Sequence, residues 1–260
     1  MAVLAPFPNF LIIGVERNAT RWLRFNLNEH PEICAPPLRL DFFGDFERMV
    51  RLGLRWYREQ FHEWDGEPFL GEASPSYLFW FNQPEQVALR IQKLMPDVRL
   101  LAIVGNPIDR LQSAIRHHIR WGRLPPDTRI DNFVELDQGL INELNLFSGF
   151  IQAACLEPYL EIFGDQVGVL LKDDVDRDPA GAYRDALRHI GASDAFVPAH
   201  IDRVLYSDRP ALELPDVELE HRQNLYSWCA HDVASLAELI DRDLSAWNPG
   251  RPDPKPSEVL

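Results

Sequence analysis

Short apolar runs alternate with longer amphipathic segments along the chain. Five of the runs are rich in aliphatic residues and bounded by glycine or polar residues, as is typical of buried parallel strands. These runs cover residues 9–15, 33–35, 69–72, 98–104 and 167–171. Other segments repeat apolar residues at helical spacing: 20–29, 45–61, 84–94, 107–118, 146–163, 180–190 and 233–240. Strands that alternate with helices predict an α/β fold, with a central parallel sheet flanked by helices on both faces.

The same pattern predicts how the chain is divided. No interior linker or repeat interrupts residues 1–247, which we predict to be one domain. The segment 248–260 is rich in proline and has no apolar pattern, which predicts a disordered tail. No apolar run approaches the roughly 20 residues that span a bilayer, and no basic leader precedes an apolar core. We therefore expect a cytoplasmic protein.

Charge narrows the choice of partners. The 26 Lys and Arg against 40 Asp and Glu give a net charge of −14 and a pI near 5.0. Such a surface argues against nucleic acid and anionic membranes as partners. An anionic ligand would need a local pocket whose field opposes the overall charge. Three widely separated cysteines, Cys34, Cys155 and Cys229, form no metal-ligand spacing and predict reduced structural thiols.

The segment from Gly14 to Arg21 is the first candidate for chemistry. It follows a predicted strand and opens a predicted helix, so free backbone N–H groups of the loop and first helical turn point at one spot. That spot accepts phosphate oxygens. Ala19, Thr20 and Arg21 replace the Lys-Ser/Thr end of an ATP-binding Walker loop, so the loop is of a different kind.

A second strand, turn and helix cover residues 100–113, with Arg110 and Ser113 on the first turns of the helix. At this point the chain resembles the sulfotransferase family, particularly its bacterial and heparan-sulfate-type branch. That family has Gly-Val-x-Lys-x-Gly-Thr after an early strand and Arg-x-Pro-x-x-Arg-x-x-Ser after a later one. Here Arg17 falls on the Lys and Thr20 on the Thr, and Pro107 falls on the Pro of the second motif.

Further segments resemble the family in the same order along the chain, from about residue 9 to 247. They are His30-Pro-Glu-Ile33, Phe42-Phe43, Gly71-Glu-Ala-Ser-Pro-Ser-Tyr-Leu78, Lys172-Asp-Asp-Val-Asp-Arg-Asp-Pro179 and Asp241-Arg-Asp-Leu-Ser-Ala-Trp247. The resemblance implies a three-layer, P-loop-like sulfotransferase fold. We expect the strands at 9–15 and 98–104 to be neighbouring, parallel and central, because their loops would then converge at one sheet edge.

The resemblance also implies a ligand, 3′-phosphoadenosine-5′-phosphosulfate, and no metal. The 5′-phosphosulfate would lie on the first loop and the 3′-phosphate by Ser113. Arg17 would hold its positive charge beside the leaving phosphate oxygen, where sulfuryl transfer builds up negative charge. The donor-binding residues implied in this way are Arg17, Asn18, Ala19, Thr20, Arg21, Trp22, Arg110 and Ser113.

The chain departs from the family pattern in three places. Gly105 stands where the family has the first Arg of its 3′-phosphate motif, and we expect Gly105→Arg to tighten nucleotide binding. Asn18 and Ala19 replace two small loop residues, and Ala19 would carry a cost if the loop needs left-handed geometry. Leu38 and Arg39 align with a Lys-Glu pair whose Glu is the family's base.

A replacement base could come from several positions. We predict Asp41 or Glu72, with Arg17, as the catalytic residues, and His62, His117 and His118 as further candidates. A phenolic small-molecule acceptor would need little help from a base. Two function classes follow: a sulfotransferase acting on a hydroxyl, or a protein of the same fold that binds a ligand or catalyses a different reaction.

Overall fold

The structure, a computed structural model, describes residues 4–202, 212 and 214–250, so most of the predicted tail lies outside the described residues. The strands are β1 (Phe10–Gly14), β2 (Ile33–Cys34), β3 (Phe69–Ala73), β4 (Arg99–Val104) and β5 (Val167–Leu171). The helices are α1 (Thr20–Leu27), α2 (Phe46–Glu59), α3 (Pro84–Leu94), α4 (Pro107–Arg120), α5 (Gln138–Glu143), α6 (Gln152–Phe163), α7 (Lys172–Arg177), α8 (Pro179–Ile190) and α9 (Leu219–Leu239).

The chain forms two compact units. The first comprises Met1–Gly105 and Cys155–Arg209, and the second comprises Asn106–Ala154 and Pro210–Leu260. All five strands belong to the first unit. The single domain expected over residues 1–247 stays a prediction.

The first unit is built on a five-stranded sheet in the order β2-β3-β1-β4-β5, and all of its strand pairs are parallel. The prediction that β1 and β4 are neighbouring, parallel and central is confirmed. Alternate residues of a strand point to opposite faces. Ile12 and Leu101 join a core with α1 and α8, while Leu11 and Leu100 are buried on the other face. The predicted α/β architecture, a parallel sheet between helices, is confirmed.

Helix α2 differs from its predicted pattern. Helical spacing predicts that Phe46, Val50 and Tyr57 share one apolar stripe, yet Phe46 is 55% exposed and Val50 is 66% exposed, whereas Tyr57 is fully buried. Gly53 explains the difference, because its φ of 77° interrupts the helical geometry. Residues on the two sides of Gly53 therefore do not share one face of a regular helix.

The second unit is helical in its described part and contains α4, α5 and α9. Helix α9 begins at Leu219, well before the predicted start at residue 233. The sequence pattern did not reveal the first part of this helix, because the buried residues form a narrow stripe among polar ones. The stripe consists of Leu225, Cys229, Val233 and Leu236. The predicted helix over 146–163 instead begins as a 3₁₀ turn, Phe147–Phe150, before α6. An ion pair connects two helices of this unit: Arg222 on α9 contacts Asp109 on α4 at 2.5 Å.

No helix in the described ranges is long and apolar enough to cross a membrane. The three cysteines are free and buried. Burial raises the pKa of the Cys34 thiol to about 11 and that of Cys229 to about 12. These two thiols are therefore protonated near neutral pH, which agrees with a structural role.

Candidate functional site

The carboxyl ends of β1 and β4 form the centre of the candidate site. From β1 the chain continues toward the β2 side of the sheet, and from β4 it continues toward β5, so the two connections leave in opposite directions. Ligands of open α/β sheets bind outside the strand ends at such a switch point. Within the first unit, this edge carries the loop after β1, Ser74 after β3, Gly105 after β4 and Lys172 after β5.

The loop between β1 and α1 has a backbone that turns sharply. Gly14 has a φ of 155°, and a Cβ there would lie 2.9 Å from the Leu78 side chain, so only glycine fits. Arg17 and Ala19 adopt left-handed conformations, with φ of 73° and 60°. Ala19 caps α1 without offering a side-chain acceptor to the first helical turn. The N–H groups of that turn thus give the loop a positive potential suited to an anion.

The left-handed conformation of Ala19 leads to a stability prediction. An L-residue in this conformation costs about 1–2 kcal/mol, and glycine removes most of that cost. We expect Ala19→Gly to raise the free energy of unfolding by about 1 kcal/mol, with part of the gain offset by the more flexible unfolded chain. Chemical denaturation measures the change.

The matched control is Ala234→Gly, on the exposed side of α9. There glycine should lower the free energy of unfolding by about 1 kcal/mol, because the residue is helical. Equal losses at both positions would contradict the left-handed assignment of Ala19.

Three charged side chains meet beside this loop. Arg39 Nη1 donates to Glu16 Oε1 at 2.6 Å, and Arg39 Nε donates to Asp41 Oδ2 at 2.9 Å. Burial alone would lower the pKa of Arg39, but the two carboxylates outweigh it and raise that pKa. Asp41 also accepts from Ser76 Oγ, and its backbone N–H donates to Ser74 Oγ at 2.9 Å. Arg39, aligned with the family's base, therefore lies between two carboxylates that the sequence did not place together.

Glu72 has a different environment from Asp41. Its carboxylate is fully buried and accepts from Tyr57 Oη at 3.0 Å, Tyr77 Oη at 2.8 Å and Ser74 Oγ at 2.6 Å. Burial raises the pKa of the Glu72 carboxyl, although these hydroxyl donors act in the opposite direction. A carboxylate enclosed by three donors supports the packing beneath the site and has little access to an acceptor. The Asp41 side chain, in contrast, is 27% exposed.

Gly105 is closely surrounded at the end of β4. A Cβ at this position would lie 2.9 Å from the Lys172 Cβ and 3.2 Å from the amide group of Asn18. The Lys172 Cβ is fixed close to its backbone, so the conflict cannot be relieved by a rotamer change. A side chain at position 105 would therefore require Lys172 to shift, which argues against Gly105→Arg as an isolated change, and the expectation that this substitution tightens nucleotide binding stays a prediction.

The remaining predicted donor-binding residues lie in varied surroundings. In the first unit, Trp22 is buried in the core and its Nε1 donates to the Ile201 carbonyl at 2.7 Å, while Arg21 is exposed on α1. In the second unit, Ser113 is half-buried on α4, and Arg110 is buried with Nη1 donating to the Leu146 carbonyl at 2.8 Å. The side chains of Trp22 and Arg110 thus contribute to packing within their own units.

Two residues of the site were missed from the sequence. Glu16 was not singled out because nothing in the chain pattern pairs it with Arg39, 23 residues away. Lys172 was recognised only as the start of a family-like segment. A signal existed for Lys172: the chain has three lysines, at 93, 172 and 255, so a lysine directly after a strand is unusual here. Within the described ranges, no group of three or more His, Cys, Asp and Glu side chains forms a metal site.

The chain is similar in sequence and in fold to known sulfotransferases. The crystal structure of a sulfotransferase from Alicyclobacillus acidocaldarius is 30% identical, covers 94% of this chain and 99% of that chain, and superposes with a TM-score of 0.78. Heparan sulfate glucosamine 3-O-sulfotransferase 3B1 of Mus musculus is 27% identical over 197 residues, which are 74% of this chain and 48% of that protein. Heparan sulfate glucosamine 3-O-sulfotransferase 6 of Homo sapiens is 35% identical over 105 residues, which are 40% of this chain and 28% of that protein.

The matched segments thus span only 28% to 48% of the length of these two heparan sulfate enzymes. No protein-family model matches the sequence. The bacterial structure, in contrast, corresponds to this chain over nearly its full length.

Proposed function

This chain belongs to the sulfotransferase family, and on that premise we propose that it transfers a sulfuryl group from 3′-phosphoadenosine-5′-phosphosulfate to a hydroxyl of a small-molecule acceptor. The observation that carries the proposal is the loop after β1. Its left-handed Arg17 and Ala19 turn the backbone into the start of α1 at the carboxyl edge of the sheet. Such a loop suits the 5′-phosphosulfate.

The proposed reaction needs charge and alignment. The acceptor oxygen attacks sulfur in line as the bond between sulfur and the 5′-phosphate oxygen breaks, and 3′-phosphoadenosine-5′-phosphate leaves with the bonding electrons. Arg17 stabilises the charge that develops on the leaving oxygen, and the backbone from Arg17 to Arg21 holds the phosphosulfate. The resemblance assigns Ser113 to the 3′-phosphate, and that role stays a prediction.

Asp41 is the proposed base that takes the acceptor proton. Asp41 is partly exposed, whereas Glu72 is enclosed. Asp41 and Glu16 both pair with the guanidinium of Arg39. We expect Asp41→Asn to lower kcat about 10²-fold with alcohol acceptors, the lower end of general-base effects. Phenolic acceptors, which lose their proton more easily, should lose less. The measurement is a pH–rate profile of the transfer step.

Glu16→Gln and Glu72→Gln are the matched variants. If Asp41→Asn transfers sulfate at the wild-type rate and Glu16→Gln does not, the base is Glu16. Wild-type rates in all three variants would exclude every carboxylate of this cluster as the base.

A titration with 3′-phosphoadenosine-5′-phosphate, followed by a transfer assay, tests the function itself. A ligand at 100 times its Kd stabilises the folded protein by about 2.7 kcal/mol, which a thermal melt detects. The acceptor panel should include phenols, aliphatic alcohols and glucosamine oligosaccharides, because the similar heparan sulfate enzymes are named for such an acceptor. The absence of any nucleotide-dependent shift would reject the donor.

Gly105 and Arg39 favour a second candidate function. These two departures affect a donor contact and the base, so the fold could serve ligand binding or another reaction. That reading predicts a thermal shift with the nucleotide but no sulfate on any acceptor. Transfer to a single member of the panel would exclude it.

A further inference from the structure

Gly105 and Lys172 are the residues that directly follow the neighbouring strands β4 and β5. Val104 and Leu171 are register partners at the ends of β4 and β5, so the next residues, Gly105 and Lys172, emerge side by side at the carboxyl edge. The 2.9 Å between the Lys172 Cβ and the position of a Cβ on residue 105 shows how closely they approach. A side chain that starts from Lys172 therefore begins almost where a side chain from residue 105 would begin.

We propose that Lys172 supplies the positive charge for the donor's 3′-phosphate that the family resemblance places at position 105. The inference rests on the proposed function, because it concerns the same donor. In this proposal the cation starts from the residue after β5 instead of the residue after β4, and Gly105 leaves room for the lysine stem. A lysine binds phosphate as a point charge on a flexible stem, so the shifted starting point is compatible with the same anion.

Asn18 gives independent support for an anion at this place. The residue is 2% exposed, and its Nδ2 makes no hydrogen bond within the described part of the chain. Nδ2 lies 3.2 Å from the position of a Cβ on residue 105, and the Lys172 Cβ lies 2.9 Å from the same position. Buried donors are almost always paired in folded proteins. A phosphate oxygen between Lys172 and Asn18 would pair this one.

The ion pair that Lys172 makes within α7 does not prevent this role. Its Nζ contacts both carboxylate oxygens of Asp176 one turn along the helix, and the Asp176 side chain is 65% exposed. An exposed pair of this kind contributes little stability. A phosphate dianion held also by Asn18 would compete well for the ammonium group.

The experiment compares two nucleotides that differ only in the 3′-phosphate. Calorimetric titration with 3′-phosphoadenosine-5′-phosphate and with adenosine 5′-monophosphate separates that group from the rest of the donor. Lys172→Gln should weaken binding of the first nucleotide about 10- to 100-fold, the range for a hydrogen bond to a charged group, and leave the second within about twofold. Lys93→Ala, on the exposed side of α3, is the control for loss of one positive charge.

Exchanging the two side chains tests the geometry directly. Gly105→Arg combined with Lys172→Gly should restore binding of 3′-phosphoadenosine-5′-phosphate to within about fivefold of wild type, because the arginine regains both space and charge. Gly105→Arg combined with Lys172→Ala should remain weak, since the alanine Cβ still occupies the conflicting position. A thermal melt of each variant confirms that it is folded.

Two different results would overturn the inference, and they can be told apart. If wild type prefers 3′-phosphoadenosine-5′-phosphate but Lys172→Gln binds it no worse than Lys93→Ala does, the donor assignment stands and Lys172 is not the cation. If wild type binds both nucleotides equally, no 3′-phosphate site exists, and the proposed donor falls together with the inference.

Discussion

Arg17→Ala is expected to lower kcat about 10³-fold, the loss seen when a donor that stabilises developing charge is removed. Arg17 lies in the loop after β1, where the backbone turns into α1. Most of the charge that forms during sulfuryl transfer develops on the leaving phosphate oxygen. Alanine removes the guanidinium but keeps a non-glycine residue at the left-handed position, so the backbone preference there is unchanged. Steady-state kinetics with a saturating acceptor measure the effect.

Arg17→Lys is the informative comparison, because the family resemblance places lysine at this position. It keeps the charge and loses only the bidentate geometry, so kcat should stay within about tenfold of wild type. Arg55→Ala removes an exposed arginine from α2, where it pairs with Glu59 at 2.8 Å, and should leave kcat unchanged. Equal losses for Arg17→Lys and Arg17→Ala would mean that Arg17 acts through its shape and not through its charge.

The sheet could be predicted from the sequence because each strand is a short apolar run with a clear end. The predicted strand at 98–104 differs from β4 by one residue, and the predicted strand at 167–171 coincides with β5. The β4 run is buried on both faces from Leu100 to Val104, and the β5 run is half-buried at the edge of the sheet but uniformly aliphatic or glycine, so no competing pattern obscures either run. Helix α9 lacked such a signal, since its buried stripe is narrow and polar residues surround it. Its start could not be located for that reason.

Side chains from distant segments could not be brought together by sequence reasoning. The loop with Arg17 and Thr20 is local, and its position after β1 follows from the pattern. The contact between Glu16 and Arg39, and that between Lys172 and Gly105, depend on which strand ends are neighbours at the sheet edge. The departures at Gly105 and Arg39 were visible in the sequence, but the side chains beside them appear only in three dimensions.

The buried carboxylate of Glu72 is expected to matter for stability. Tyr57 and Tyr77 are fully buried, and both donate to Glu72 Oε1, while Ser74 donates to Oε2. Glu72→Ala leaves these hydroxyl groups without their acceptor and opens a cavity. The two effects together should lower the free energy of unfolding by about 3–5 kcal/mol. Urea denaturation near neutral pH measures the loss.

Glu72→Gln separates the hydrogen bonds from the charge. Burial raises the pKa of Glu72 in the folded protein. Between the ordinary value near 4.5 and this raised pKa, the folded state therefore holds more bound protons than the unfolded state. Wild-type stability should therefore fall with rising pH from that value until the raised pKa is passed. Glutamine has no such titration and keeps an oxygen for the hydroxyl donors. We expect Glu72→Gln to lose much less stability than Glu72→Ala, and its difference from wild type to shift in favour of glutamine as pH rises. A pH-independent difference would show that the carboxyl titrates alike in the folded and unfolded chains.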